Sequence, residues 1–491
     1  MKGRLGQSDA EFYALEDSTT PTHVGSLAVL RRPDEDGAGL DYERLLATIE
    51  ERLAEVPRYR QKVRTVPFGI ARPVWIEDRD FDITYHVRVS AVPQPGSDDQ
   101  LHDLVARLNS RPLDRERPLW EVYLIEGLAD DRLAVFTKTH LALVDGRANV
   151  DLMQQLLTDT PRTPESPEDL WMGQHEPSDG ELVMGAVIDM LSRPARTASM
   201  IQGLVGEVAE SITGLQEDAA NVIERASSLV RARTAVTPVR SLNVPISRSR
   251  RFAVATMDLA EFRRLRAAFG CTVNDLLLSV VAGGLRTWLI SRGEPISAGT
   301  EVRVLEPIAV DDVGLGVGEQ VRAYIVRLPV AESNAVVRMR QIAHGAAAQV
   351  DRNRQVAARA LATSGGFTPA TLHALGARTA MSVSPRSFNI LVTNAPGPQA
   401  PVYLAGIEVL QVYPVPPLIA NQVVSIGITS YNGRVYLGLN ADRDGMWDVI
   451  SMTEFLYEAL DELAASAKGV DDGPRVRSQY PRRAPGAAAR R

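Results

Sequence analysis

One pattern constrains this chain more than any other, and it occurs twice. From about residue 20 to 160, and again from Arg251 to about 470, stretches of strand-like alternation trade places with stretches of helical spacing. "PLWEVYLIEGL" (residues 118–128) sets Trp120, Val122 and Leu124 on one side and Glu121, Tyr123 and Ile125 on the other, which is the period of a strand. "LLATIEERLAEV" has the spacing of an amphipathic helix, and "VGSLAVL" and "LAVFTKTH" read as further strands. In the second half "TVNDLLLSVVAGGLRTWLI" reads as a helix capped by Thr272 with Asp275 three residues on. "QVRAYIVRLPV" and "FNILVTN" read as strands, and Asn432-Gly433 suits the type I′ turn of a hairpin. A chain of 491 residues is too long for one core, so two α/β units are expected. They occupy residues 1–160 and 251–470, with a Pro-rich and helical linker over 161–250 and an Arg-rich tail, expected to be disordered, over 471–491.

Composition narrows the function classes. The formal net charge is −7, which argues against a chain-wide attraction to nucleic acid. A single cysteine, Cys271, excludes an internal disulfide and points to a reducing compartment. With no histidine near it in sequence, Cys271 is expected to be a small buried residue rather than a nucleophile. The N-terminus lacks the apolar core of a signal peptide, and no uninterrupted apolar run reaches the length of a membrane span. The expectation is a cytoplasmic protein, with peripheral contact at a membrane or lipid-droplet surface left open. The apolar positions of the linker are expected to pack on the body of the protein, with a lipid surface as the alternative.

The candidate chemistry sits in "KTHLALVDG" (residues 138–146). His140 ends a strand just before an Asp145-Gly146 turn, a good position for a general base that takes a hydroxyl proton during attack on an acyl carbonyl. The other six histidines form no metal-ligand spacing, so no metal is expected. No Walker loop, nucleophile elbow or dinucleotide fingerprint stands out, which leaves an NTPase, a serine hydrolase and a dinucleotide enzyme without support.

Five stretches, in order, resemble the bacterial wax ester synthase/diacylglycerol acyltransferase family, a branch of the HHxxxDG acyltransferases: "DAEFYALEDSTTPTHVGSLAVL", "RPLDRERPLWEVYLIEGL", "TVNDLLLSVVAGGLRTWL", "VTNAPGPQAPVYLAGIEV" and "SYNGRVYLGLNADRD". The resemblance implies two chloramphenicol-acetyltransferase-like domains, each a mixed sheet with flanking helices, with the site in a channel between them. It also implies acyl-CoA as co-substrate and diacylglycerol or a long-chain alcohol as acceptor, with no further cofactor. It places His140, Asp145 and Gly146 in the catalytic motif, and Asn274, Asp275, Thr393 and Asn394 near the substrates. Helix capping by Asp275 and a turn around Pro396-Gly397 are the plainer roles for the last four.

The motif departs from the family at one position. The second histidine, which the family uses as base, is Leu141 here. Gly318-Glu319 replaces a Gly-Asn pair, and "EPIAVDDV" differs from the family's Pro-Val-Ser stretch. Two readings follow. One is an O-acyltransferase in which His140 or a bound water serves as base. The other is an impaired paralogue that keeps the fold and binds acyl chains or a partner. The direction of the His140 ring separates them, because neighbouring residues on a strand face opposite ways.

Overall fold

The computed structural model describes residues 3–31, 40–145, 150–161, 171, 173, 175–192, 239–309, 321–349 and 369–471. Two mixed sheets with flanking helices carry the architecture, matching the two expected α/β units. The first sheet runs in the order β4 (Val87–Ala91), β5 (Trp120–Leu128), β6 (Arg132–His140), β1 (His23–Arg31), β13 (Ile407–Val415), β12 (Tyr403–Leu404) and β7 (Leu157–Thr158). The second runs β10 (Val321–Leu328), β9 (Val302–Ala309), β11 (Ile390–Pro396), β14 (Val424–Tyr431), β15 (Arg434–Asp442) and β8 (Arg250–Asp258). A two-stranded ribbon, β2 (Gln61–Arg64) with β3 (Val74–Glu77), flanks the first sheet.

The chain halves and the sheets do not coincide. Strands β12 and β13 come from the C-terminal half, yet β13 pairs antiparallel with β1, Gly25 opposite Val415. On its other side β1 pairs with β6, which sets His23 opposite His140. Where β13 leaves the first sheet it passes over glycines of the second. A Cβ on Gly438 would lie 1.9 Å from the Pro414 carbonyl oxygen, and one on Gly427 would lie 2.7 Å from the Pro414 ring. Only glycine permits that approach.

Each face of the second sheet has one job, fixed by strand alternation. Val304, Ile390, Val392, Ile426 and Leu437 pack with the helices Val273–Ser291 and Val449–Asp471 in one core. The helix Val273–Ser291 is long and apolar enough to cross a membrane, but here it is the central helix of that core. Its start is the capping box read from the sequence: Thr272 Oγ1 accepts from the Asp275 amide, and Asp275 accepts from the Thr272 amide. The β14–β15 hairpin turns through Asn432 and Gly433 at φ 45° and 79°, as a type I′ turn requires.

The opposite face of the second sheet looks toward the first unit. Leu305 and Leu391 from it join Val24, Leu141 and Val144, with Ala374 and Ala377 of the helix Pro369–Met381, in an apolar cluster that seals the seam. Trp120 fills the first core; its Nε1 donates to the Tyr59 carbonyl at 2.7 Å, so the Pro118-Leu119-Trp120 stretch serves packing. Of the linker, the helix Asp179–Ser192 is described; residues 193–238, Pro194 among them, Gly318-Glu319 and the tail from 472 lie outside the described residues.

Candidate active site

Strand β6 ends at His140, whose backbone N–H donates to the Leu119 carbonyl, and the chain then tightens into a 3₁₀ turn at Leu141–Leu143. The His140 side chain caps that turn: its Nδ1 accepts from the Ala142 amide at 3.0 Å. An accepting Nδ1 leaves the proton on Nε2, which donates to Thr22 Oγ1 at 2.7 Å and lies 3.7 Å from Glu16 Oε2. Glu16 also accepts from Arg115 Nη2 at 2.9 Å and from the Thr22 amide at 3.1 Å. Burial pushes the Glu16 carboxyl up, but its neighbours His140 and Arg115 hold it down at about 2.

The His140 ring is fully buried on the face of β6 that also carries Lys138, opposite the side on which Leu141 joins the apolar cluster. In this tautomer it has no spare lone pair with which to take a proton. The expectation of His140 as a base is therefore replaced by a positioning role: it sets the turn that presents Leu141. Glu16 and Thr22, the residues that hold it, lie more than a hundred positions away, and sequence reading did not single them out.

Leu141 points the other way, into the apolar cluster between the two sheets. Its carbonyl accepts from Arg378 Nη1 at 2.6 Å, and the same guanidinium pairs with Asp9 at 2.6 Å and lies over the Phe12 ring. A residue of the second unit thus holds the motif turn. Asp145 pairs with Arg58 at 3.4 Å, and Gly146 lies outside the described residues.

The four substrate-side residues divide into two groups. Asn394 Nδ2 donates to Asn274 Oδ1 at 2.8 Å, and Asp275 is the capping residue described above. Glu306 lies beside them, its carboxyl pushed up to about 7 by burial and only partly offset by Asn274. Thr393 faces the opposite side of β11, where its hydroxyl meets His373 Nδ1 at 2.7 Å. Burial drives the His373 imidazole down to about 3, so it is neutral. The division of Thr393 from Asn394 follows from strand alternation and was available in the sequence. Cys271 is half-buried with its thiol pushed up by burial, the opposite of an activated nucleophile.

This layout of two sheets sharing one seam, with the motif turn pressed into it, can be compared with known proteins. Residues 5–277 match the sequence model of the wax ester synthase/diacylglycerol acyltransferase catalytic domain, and residues 317–464 match that of the WS/DGAT C-terminal domain. The chain belongs to this family. A relative from Mycobacterium tuberculosis (strain ATCC 25618 / H37Rv) named "Probable diacyglycerol O-acyltransferase tgs3" is 47% identical over 271 residues, which cover 55% of this chain and 98% of the relative. The "Probable diacyglycerol O-acyltransferase tgs1" of the same strain is 31% identical over 468 residues, 94% of this chain and 95% of that one. Among solved structures, the wax ester synthase/diacylglycerol acyltransferase from Marinobacter aquaeolei VT8 superposes with a TM-score of 0.65 at 27% identity, over 95% of this chain and 100% of that chain. The starter condensation domain of rhizomide synthetase shares the fold alone, with a TM-score of 0.52 at 11% identity over 96% and 97% of the two chains.

Proposed function

We propose that this protein transfers a fatty acyl group from acyl-CoA to diacylglycerol, giving triacylglycerol, with a long-chain alcohol as a second acceptor. The observation that carries this reading is the motif turn: Leu141 sits in the seam shared by the two family domains, where donor and acceptor would meet. In the reaction the acceptor oxygen attacks the thioester carbonyl, the C–S bond breaks, and the hydroxyl proton leaves with the CoA thiol. Residue 141 offers no proton acceptor, so positioning and electrostatic stabilisation carry the rate. General-base help typically contributes about 10²–10⁴-fold, and turnover should be slow by that order. Water-insoluble substrates favour peripheral contact with a membrane or lipid droplet from the cytoplasm.

A second reading rests on the engagement of both His140 nitrogens. The fold would then bind acyl chains or a partner without turning substrate over. The test incubates purified protein with palmitoyl-CoA and dioleoylglycerol or hexadecanol and measures triacylglycerol, wax ester and free CoA. Product above the protein-free control supports transfer. Palmitoyl-CoA binding with no product selects the second reading.

A further inference from the structure

One row of residues crosses the second sheet on the face that looks toward the first unit. Leu305 pairs with Leu391, Leu391 with Ser425, Ser425 with Asn440, and Asn440 with Phe252. Residues in register share a face. Leu305 and Leu391 belong to the seam cluster that holds Leu141, and Phe252 belongs to the core of the first unit. Ser425 and Asn440 are therefore a polar pair set into an apolar row at the seam.

Both are buried, as is Gln422 just before β14. Ser425 Oγ, Asn440 Oδ1 and Gln422 Oε1 have no hydrogen-bond partner among the described residues. The two amides are oriented by bonds from their nitrogens, Asn440 Nδ2 to the Pro416 carbonyl at 2.8 Å and Gln422 Nε2 to the Phe388 carbonyl at 3.4 Å. Phe388 is itself part of the seam cluster. Buried polar atoms of native proteins are normally paired, and two unpaired ones on the β14–β15 pair with a third just before it call for a function.

We propose that Ser425, Asn440 and Gln422 form the subsite that receives the hydroxyl group of the acyl acceptor. Two amide oxygens can only accept, and a serine hydroxyl can donate or accept, so the group that completes them must bring a proton. An alcohol does so; a carboxylate or a phosphate of CoA would meet repulsion from the amide oxygens. The nearby carboxylate on this face, Asp442, is already taken up by Arg250 and Ser247. The subsite is thus neutral and suits a neutral alcohol. It rests on the proposed acyl transfer, whose acceptor it specifies.

The test measures binding separately from turnover. Affinities for 1,2-dioctanoylglycerol, for the analogue that carries hydrogen in place of its free hydroxyl, and for palmitoyl-CoA are determined by calorimetry on wild type and Ser425→Ala, together with Tm. The expected result is a preference of about tenfold or more for the hydroxyl-bearing lipid that Ser425→Ala largely abolishes. Palmitoyl-CoA affinity should hold, and Tm should stay level or rise, because an unpaired hydroxyl is removed from the interior. Wild type that fails to distinguish the two lipids overturns the subsite. So does a variant that lowers Tm and weakens both ligands together, the signature of a structural hydroxyl. Hydroxyl discrimination without any turnover would sink the acyl-transfer reading and leave the subsite standing; turnover with unaltered acceptor KM in Ser425→Ala would do the reverse.

Discussion

Replacing Leu141 by histidine should convert a slow acyltransferase into a faster, less stable one. Leu141 is fully buried in the seam cluster, and its leucine burial is worth about 1.5–3 kcal/mol. A buried imidazole nitrogen without a partner costs about 1–3 kcal/mol more. The combined cost of about 2.5–6 kcal/mol is a large share of a typical stability of about 5–15 kcal/mol. Against it stands the gain from a base, about 10²–10⁴-fold in rate, or about 3–5 kcal/mol off the barrier. The assay follows free CoA released from palmitoyl-CoA in the presence of dioleoylglycerol, with Tm read on the same samples. Turnover of Leu141→His should exceed wild type by at least about a hundredfold and increase with pH as the imidazole loses its proton. A folded Leu141→His whose turnover stays within about threefold of wild type would refute the argument, because residue 141 would then not face the reacting groups.

Three further outcomes follow from the geometry. Glu306 holds its proton up to about pH 7 in the folded protein, above the ordinary 4.5, so its contribution to stability is greatest below pH 4.5 and is lost as pH rises through 7. Glu306→Gln should flatten that decline in denaturant titrations and be the more stable protein above pH 7. Arg378→Met should lower stability by about 2–3 kcal/mol, less than for a fully buried pair, and a double-mutant cycle with Asp9→Asn should show coupling between the two. Gly438→Ala puts a methyl 1.9 Å from the Pro414 oxygen and should abolish cooperative unfolding or soluble expression.

What the sequence disclosed was local. The capping box at Thr272 and Asp275, the hairpin at Asn432-Gly433 and the strand ending at His140 are each set by a few adjacent residues, and each stands where the pattern puts it. The opposite facing of His140 and Leu141 was also legible, since it needs only the period of a strand. The partners were not. Glu16 and Thr22 reach His140 from the N-terminal segment, and Arg378 reaches Leu141 from the other unit. Nothing in the spacing around a histidine reports which distant hydroxyl will accept its hydrogen bond. Ser425 and Asn440 look in sequence like ordinary strand residues; only the register between β14 and β15 brings them together.

The strand exchange has a consequence for how the chain comes off the ribosome. β1 is synthesised well before the neighbour that completes its outer side, β13, which ends at Val415. At 5–20 residues per second the first sheet, whose β6 ends at His140, waits roughly 15 seconds to a minute with that edge open. During this interval a nearly all-buried strand, from His23 onward, presents unpaired backbone to other nascent chains on the same message. Chains released before residue 403 should therefore be recovered in aggregates or on chaperones, while the full chain, which supplies β13, should fold. β13, with β12 beside it, thus closes the edge that β1 leaves open.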